Sequence, residues 1–163
     1  MRSGLPYWFF LILLLVSCTK QTKLFTEVDA SKSGVDFVNG LTDTPELNIL
    51  SYLYYYNGGG VAAADFNNDG WVDLFFTGNQ VQDELYLNKG NLIFEKVTGK
   101  AGIEPLESWS TGVSHVDINN DGLLDIYICK ASNHENLKVQ NLLYVNQGVD
   151  EKGIPSFKEI EGQ

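Results

Sequence analysis

From residue 61 onward the chain alternates short apolar or period-two runs with clusters of Asn, Asp and Gly. Val61 to Ala64, Val72 to Thr77, Glu84 to Leu87, Leu92 to Val97 and their later counterparts read as strands, because such runs between turn-forming residues mark half-buried β-structure. Signals for helices are nearly absent. Asn88-Lys89-Gly90 and Asn146-Gln147-Gly148 predict tight hairpin loops, in which glycine supplies the positive φ that such turns need. Within the run Asp125 to Cys129, Cys129 is expected to be a buried structural thiol.

The pattern repeats. The segment from Gly60 to Phe75, containing Asp65-x-Asn67-x-Asp69-Gly70-x-x-Asp73, recurs in strict register 52 positions later from Gly112 to Tyr127. Leu85-Tyr86-Leu87-Asn88-Lys89-Gly90 recurs 58 positions later as Leu143-Tyr144-Val145-Asn146-Gln147-Gly148, so the second copy carries a six-residue insertion between Lys130 and Asn141. Insertions of this kind belong in loops. A further echo links Phe94-Glu95-Lys96-Val97, Phe157-Lys158-Glu159-Ile160 and Phe25-Thr26-Glu27-Val28, each expected to form one short strand.

Four short strands in a unit of about 50 residues is the make-up of a β-propeller blade, so the expected fold is all-β, with about two four-stranded blades of an incomplete propeller. The repeat region is assigned to residues 25–163, with blades at about 52–104 and 105–163 and a partial leading segment at 25–51. The next repeat would be expected to begin where Gln163 ends the chain.

The N-terminus departs from all this. Behind Arg2, Tyr7 to Val16 is an unbroken apolar run of ten, about half of the roughly 20 residues a membrane-spanning helix needs, and it reads as the core of an export signal. Leu15-Val16-Ser17-Cys18 resembles a lipobox. That reading makes residues 1–17 a lipoprotein signal peptide, Cys18 the lipidated first mature residue and residues 18–24 a polar tether. An ordinary secretory signal or an uncleaved anchor is the alternative. Cysteine usage adds a constraint: with Cys18 acylated, Cys129 has no intrachain partner, so no disulfide staples an exported domain.

Charge narrows the partners. Eleven Lys and Arg stand against 21 Asp and Glu, for a net charge of −10, with no basic patch interleaved with aromatics. Nucleic acid is therefore excluded as a partner, and cations are favoured. The repeated acidic loops supply the chemistry. Side-chain oxygens fall at positions 1, 3, 5 and 9 in Asp65, Asn67, Asp69 and Asp73, with Gly70 at position 6 for the sharp turn and the Trp71 carbonyl at position 7. Asp117, Asn119, Asp121 and Asp125, with Gly122 and the Leu123 carbonyl, repeat the set. This is the hard, all-oxygen shell that calcium prefers, giving two expected Ca2+ sites. Carboxylates about 5 Å apart repel by roughly 3 kcal/mol per pair at an effective dielectric of about 20, a cost that a bound divalent cation removes. Without metal, the same residues would make an Asn/Asp/Gly hairpin with solvated carboxylates. An EF-hand does not fit, because Phe76 and Ile128 occupy the position of the bidentate Glu and the flanks alternate as strands.

These paired loops, each following Gly-Val-x-x-x, together with the Leu-Tyr-x-Asn-x-Gly hairpins, resemble FG-GAP or VCBS repeats, the integrin-type calcium-binding propeller blades. Phe37-Val38-Asn39, Tyr54-Tyr55-Tyr56-Asn57-Gly58-Gly59-Gly60 and Trp109-Ser110-Thr111-Gly112 are similar to the start of bacterial lipoproteins related to the cartilage acidic protein family, which carry ASPIC/UnbV domains. The resemblance covers about residues 25 to 163, and members of that family are far longer and complete the propeller.

No catalytic constellation accompanies the loops. His115 and His134 are isolated, with His115 expected as a polar residue on an inner strand, and Gly58-Gly59-Gly60 lacks the following helix of a dinucleotide site. Tyr52 to Tyr56 could form a sugar platform, but core or inter-blade packing is the expected role. The resulting expectation is a calcium-binding, lipid-anchored binding or adhesion module rather than an enzyme. It would be exported to the cell envelope, at the outer membrane or facing the periplasm, with a protein or glycan ligand. The alternatives are the N-terminal part of a lyase-like, polysaccharide-active propeller enzyme whose catalytic residues lie outside this chain, and a truncated gene product.

Overall fold

A computed structural model describes residues 23–104, 109–130 and 140–160. The segment expected to be an export signal, Cys18, His134 and most of the insertion after Lys130 lie outside the described residues. The fold is the expected one, two four-stranded antiparallel sheets of propeller-blade type. In the first, β1 (Val61–Ala64), β2 (Asp73–Phe76), β3 (Glu84–Asn88) and β4 (Phe94–Lys96) lie side by side in chain order. In the second, β5 (Ser110–Val116), β6 (Asp125–Lys130), β7 (Leu142–Val149) and β8 (Pro155–Ile160) do the same. Val61 opposes Phe76 and Ala64 opposes Asp73, while Val113 opposes Ile128 and Val116 opposes Asp125, so each acidic loop closes the hairpin between the first two strands of its sheet.

Alternation decides which face each sheet buries. Phe75, Leu85 and Leu87 of the first sheet meet Ile126, Ile128, Leu142 and Tyr144 of the second in one core, together with Val97, Ala101 and Ile103 from the crossing segment. The crossing segment is pinned to β8 by the Phe157 N–H donating to the Ala101 carbonyl at 2.8 Å. A second cluster seats Tyr52, Tyr55 and Trp109 against Leu41 and Leu47.

Four local expectations change. Phe25 to Val28 is not a strand: Leu24 and Phe25 are almost fully exposed, and no strand among the described residues pairs with them. The leading segment instead makes one helical turn, α1 (Ala30–Ser33), capped by the Asp29 carboxylate and ended by Gly34 at φ 78°. It then lies over the outer face of the first sheet, where Phe37 stacks on Phe76 at 5.0 Å. Cys129 is exposed rather than buried. The period of two sends Ile126, Ile128 and Lys130 into the core and turns Tyr127 and Cys129 outward.

Asn146 to Gly148 do not form the second hairpin turn. They lie within β7 at a register shift, with Gly148 at φ 92°, and the turn follows at residues 150–154. The tyrosines also divide, since Tyr52 and Tyr55 pack as expected while Tyr54 and Tyr56 are exposed. Gly59 and Gly60 do mark close backbone packing: a Cβ on Gly59 would overlap the Thr77 carbonyl, and one on Gly60 would stand 2.9 Å from the Thr111 carbonyl.

Candidate metal-binding loops

Each loop is built by its own first residue. Asp65 follows β1, and its two carboxylate oxygens accept the N–H groups of Asp69 (3.1 Å) and Gly70 (2.8 Å), folding the chain back within one turn. Asn68 at φ 57° and Gly70 at φ 88° take the left-handed conformations this requires, which Asn and Gly adopt most readily. Asn67 then accepts the Asp69 N–H at 3.2 Å and donates to the Asp69 carboxylate at 2.9 Å, while Asp69 accepts the Trp71 N–H at 2.9 Å. The second loop reproduces the set. Asp117 accepts from Asp121 (3.0 Å) and Gly122 (2.9 Å), Asn119 donates to Asp121 (2.8 Å), and Asp121 accepts from Leu123 (2.8 Å). Asn120 and Gly122 repeat the left-handed pair, at φ 60° and 87°.

The position-nine carboxylates differ from the rest. Asp73 and Asp125 are fully buried at the starts of β2 and β6. Asp73 accepts the N–H groups of Phe66 (3.0 Å) and Asn88 (2.8 Å), and Asp125 those of Ile118 (2.9 Å) and Asn146 (2.8 Å). Burial pushes the Asp73 carboxyl up to about 6, against the pull of its two N–H donors, and the charges of Asp69 and Asp65 push the same way. A buried carboxylate that feels two like charges sits in a field that a cation would relieve.

Among the described residues, no three His, Cys, Asp or Glu side chains stand close enough to hold a metal by themselves. What each loop gathers is two carboxylates and an amide oxygen, with the third carboxylate behind them. These donors nevertheless suit a hard cation. Each carboxylate offers about four lone-pair sites, of which the N–H groups of Asp69 and Gly70 use two on Asp65, and calcium completes a shell of six to eight oxygens with backbone carbonyls and water. Trp71 and Leu123, expected as carbonyl donors, enter the observed hydrogen bonding through their N–H groups.

Asn88 and Asn146 are the site residues that the spacing of acidic groups missed. Beyond gripping Asp73 and Asp125 with its backbone, each donates its side chain to the carbonyl preceding that aspartate, Val72 at 3.0 Å and Leu124 at 3.2 Å. Their repetition in Leu-Tyr-x-Asn-x-Gly is the signal that marks them in the sequence.

Residues 65–128 match the model of the FG-GAP-like repeat, a span that starts at the first acidic residue of the first loop and closes in β6, beyond the second. No curated protein matches the chain.

Proposed function

We propose that the chain is a calcium-binding, extracytoplasmic binding module of propeller type, in which the metal is structural. The observation that carries this reading is the duplication of one hydrogen-bonded acidic loop, residue for residue, at the same hairpin of two blades. Bound calcium would supply positive charge where the fold has concentrated carboxylates. Asp65, Asn67, Asp69 and Asp73 would hold one ion, with Asp117, Asn119, Asp121 and Asp125 holding the other and the carbonyls of Trp71 and Leu123 completing the shells. The loop N–H groups hold these oxygens in place before any ion arrives, which reduces the ordering cost of binding.

The carboxylates in this reading serve metal and fold, and we assign them no catalytic part. Export and anchoring rest on Leu15-Val16-Ser17-Cys18, with Cys18 the lipidated residue of a cell-envelope lipoprotein and a protein or glycan as its ligand. Calorimetric titration of the protein with calcium tests the metal reading. Two ions should bind per chain, and Asp69→Ala or Asp121→Ala should each leave one; absence of binding heat at millimolar calcium would overturn it. For the anchor, labelled palmitate should enter through Cys18 and be lost in Cys18→Ser, and undiminished membrane fractionation of that variant would refute lipidation.

A further inference from the structure

The two loops are wired to each other through buried atoms. The Phe66 peptide lies between Asp65 and Asn67 of the first loop. Its N–H donates to Asp73 at 3.0 Å, and its carbonyl accepts the side-chain amide of Asn146, across the blade boundary, at 2.9 Å. The backbone N–H of the same Asn146 donates to Asp125, in the second loop, at 2.8 Å. Asp73, Phe66, Asn146 and Asp125 are all at most 1% exposed, so no water competes along this path. Two outer contacts reinforce it: Asn68 donates to the Gly122 carbonyl at 3.1 Å, and Asn67 donates to the Gly153 carbonyl at 3.0 Å. Asn88, the counterpart of Asn146 in the first blade, makes the same contacts within its own blade, to Asp73, Val72 and Gly90. The reach to a neighbouring loop is what Asn146 adds.

We propose that Asn146 couples the two loops, so that calcium held in one raises the affinity of the other. This rests on the calcium reading above. Ligation of either ion fixes its position-nine aspartate, and through Phe66 and Asn146 it fixes part of the other loop as well. The second ion then meets a site already ordered, which is positive cooperativity without any change of fold. Asn146 acts here as a positioning residue, since it offers the ion no ligand.

Calorimetric calcium titrations of the full chain test this in a cycle, with Asp69→Ala or Asp121→Ala to disable one loop and Asn146→Ala to cut the link. In the native background, disabling one loop should weaken the other by about five-fold or more, the lower range of coupling between sites. With Asn146→Ala, each loop should bind with the same affinity whether or not the other is disabled. Two ions bound independently in the native chain would overturn the coupling and leave the calcium reading standing, whereas no binding in any variant would remove that reading itself. Should Asn146→Ala not fold, amide exchange in Asp69→Ala decides the matter. Calcium in the second loop alone should slow exchange of the Phe66 N–H, and an unchanged rate would contradict the link.

Discussion

Lys130 is the residue whose place the pattern of charges conceals most. It ends β6 on the core-facing side of the alternation, so its ammonium is carried between the blades, where it meets Asp83 at 3.3 Å and also donates to the Ser110 hydroxyl. Asp83 is further held by the Gly78 N–H at 2.8 Å and the Ser110 hydroxyl at 2.9 Å. Burial lowers the Lys130 pKa and the Asp83 charge opposes that shift. Removing one partner leaves the other charged and buried, so Lys130→Met should cost about 3–5 kcal/mol in urea unfolding, whereas Lys130→Met with Asp83→Leu should recover most of that loss. Equal losses in the single and double variants would contradict the pairing. The two acidic loops, by contrast, are legible in the sequence as turns, because the Asp, Asn and Gly spacing that folds each of them is local. Lys130 and Asp83 lie 47 positions apart, and only the stacking of one sheet on the other brings them together.

Strands were legible where alternation and turn residues coincide, and less so where a neighbouring element decides. Val61–Ala64 forms the strand its alternation predicts, while Phe25 to Val28 has the composition of a strand but joins no ladder among the described residues. The leading segment works instead as a cover, as Phe37 and its neighbours show. Phe37 stacks on Phe76, and Asp36 accepts the Tyr86 hydroxyl at 2.6 Å and pairs with Lys96 at 2.8 Å. Tyr86 is held neutral there by its burial and by the carboxylates of Asp36 and Glu84, which raise its pKa. Phe37→Ala should therefore cost about 1–2 kcal/mol, from lost stacking and half-buried area, and speed amide exchange in β2 and β3 ahead of β6 and β7. Uniform change across both sheets would argue against a local cover. Cys129 carries the same lesson: its strand was read correctly, but the choice between its faces was set by which side the other sheet occupies.

At the level of the whole molecule, two blades share one core, and the first acidic loop is joined to the second blade by the Asn68–Gly122, Asn67–Gly153 and Asn146–Phe66 contacts. That junction places the proposed metal sites at a seam between blades, where bound calcium would hold neighbouring units in register as well as closing each loop. Repeat units depend on such neighbour contacts for much of their stability. A ligand bound only by the folded state stabilises it by about 2.7 kcal/mol per site at a free concentration of 100 times Kd. The most direct test is scanning calorimetry of the full chain in excess calcium and in a strong chelator. One cooperative transition is expected for both blades, raised by at least about 8 °C in calcium, with part of that gain lost in Asp69→Ala and part in Asp121→Ala. A melting temperature indifferent to calcium and chelator would contradict it.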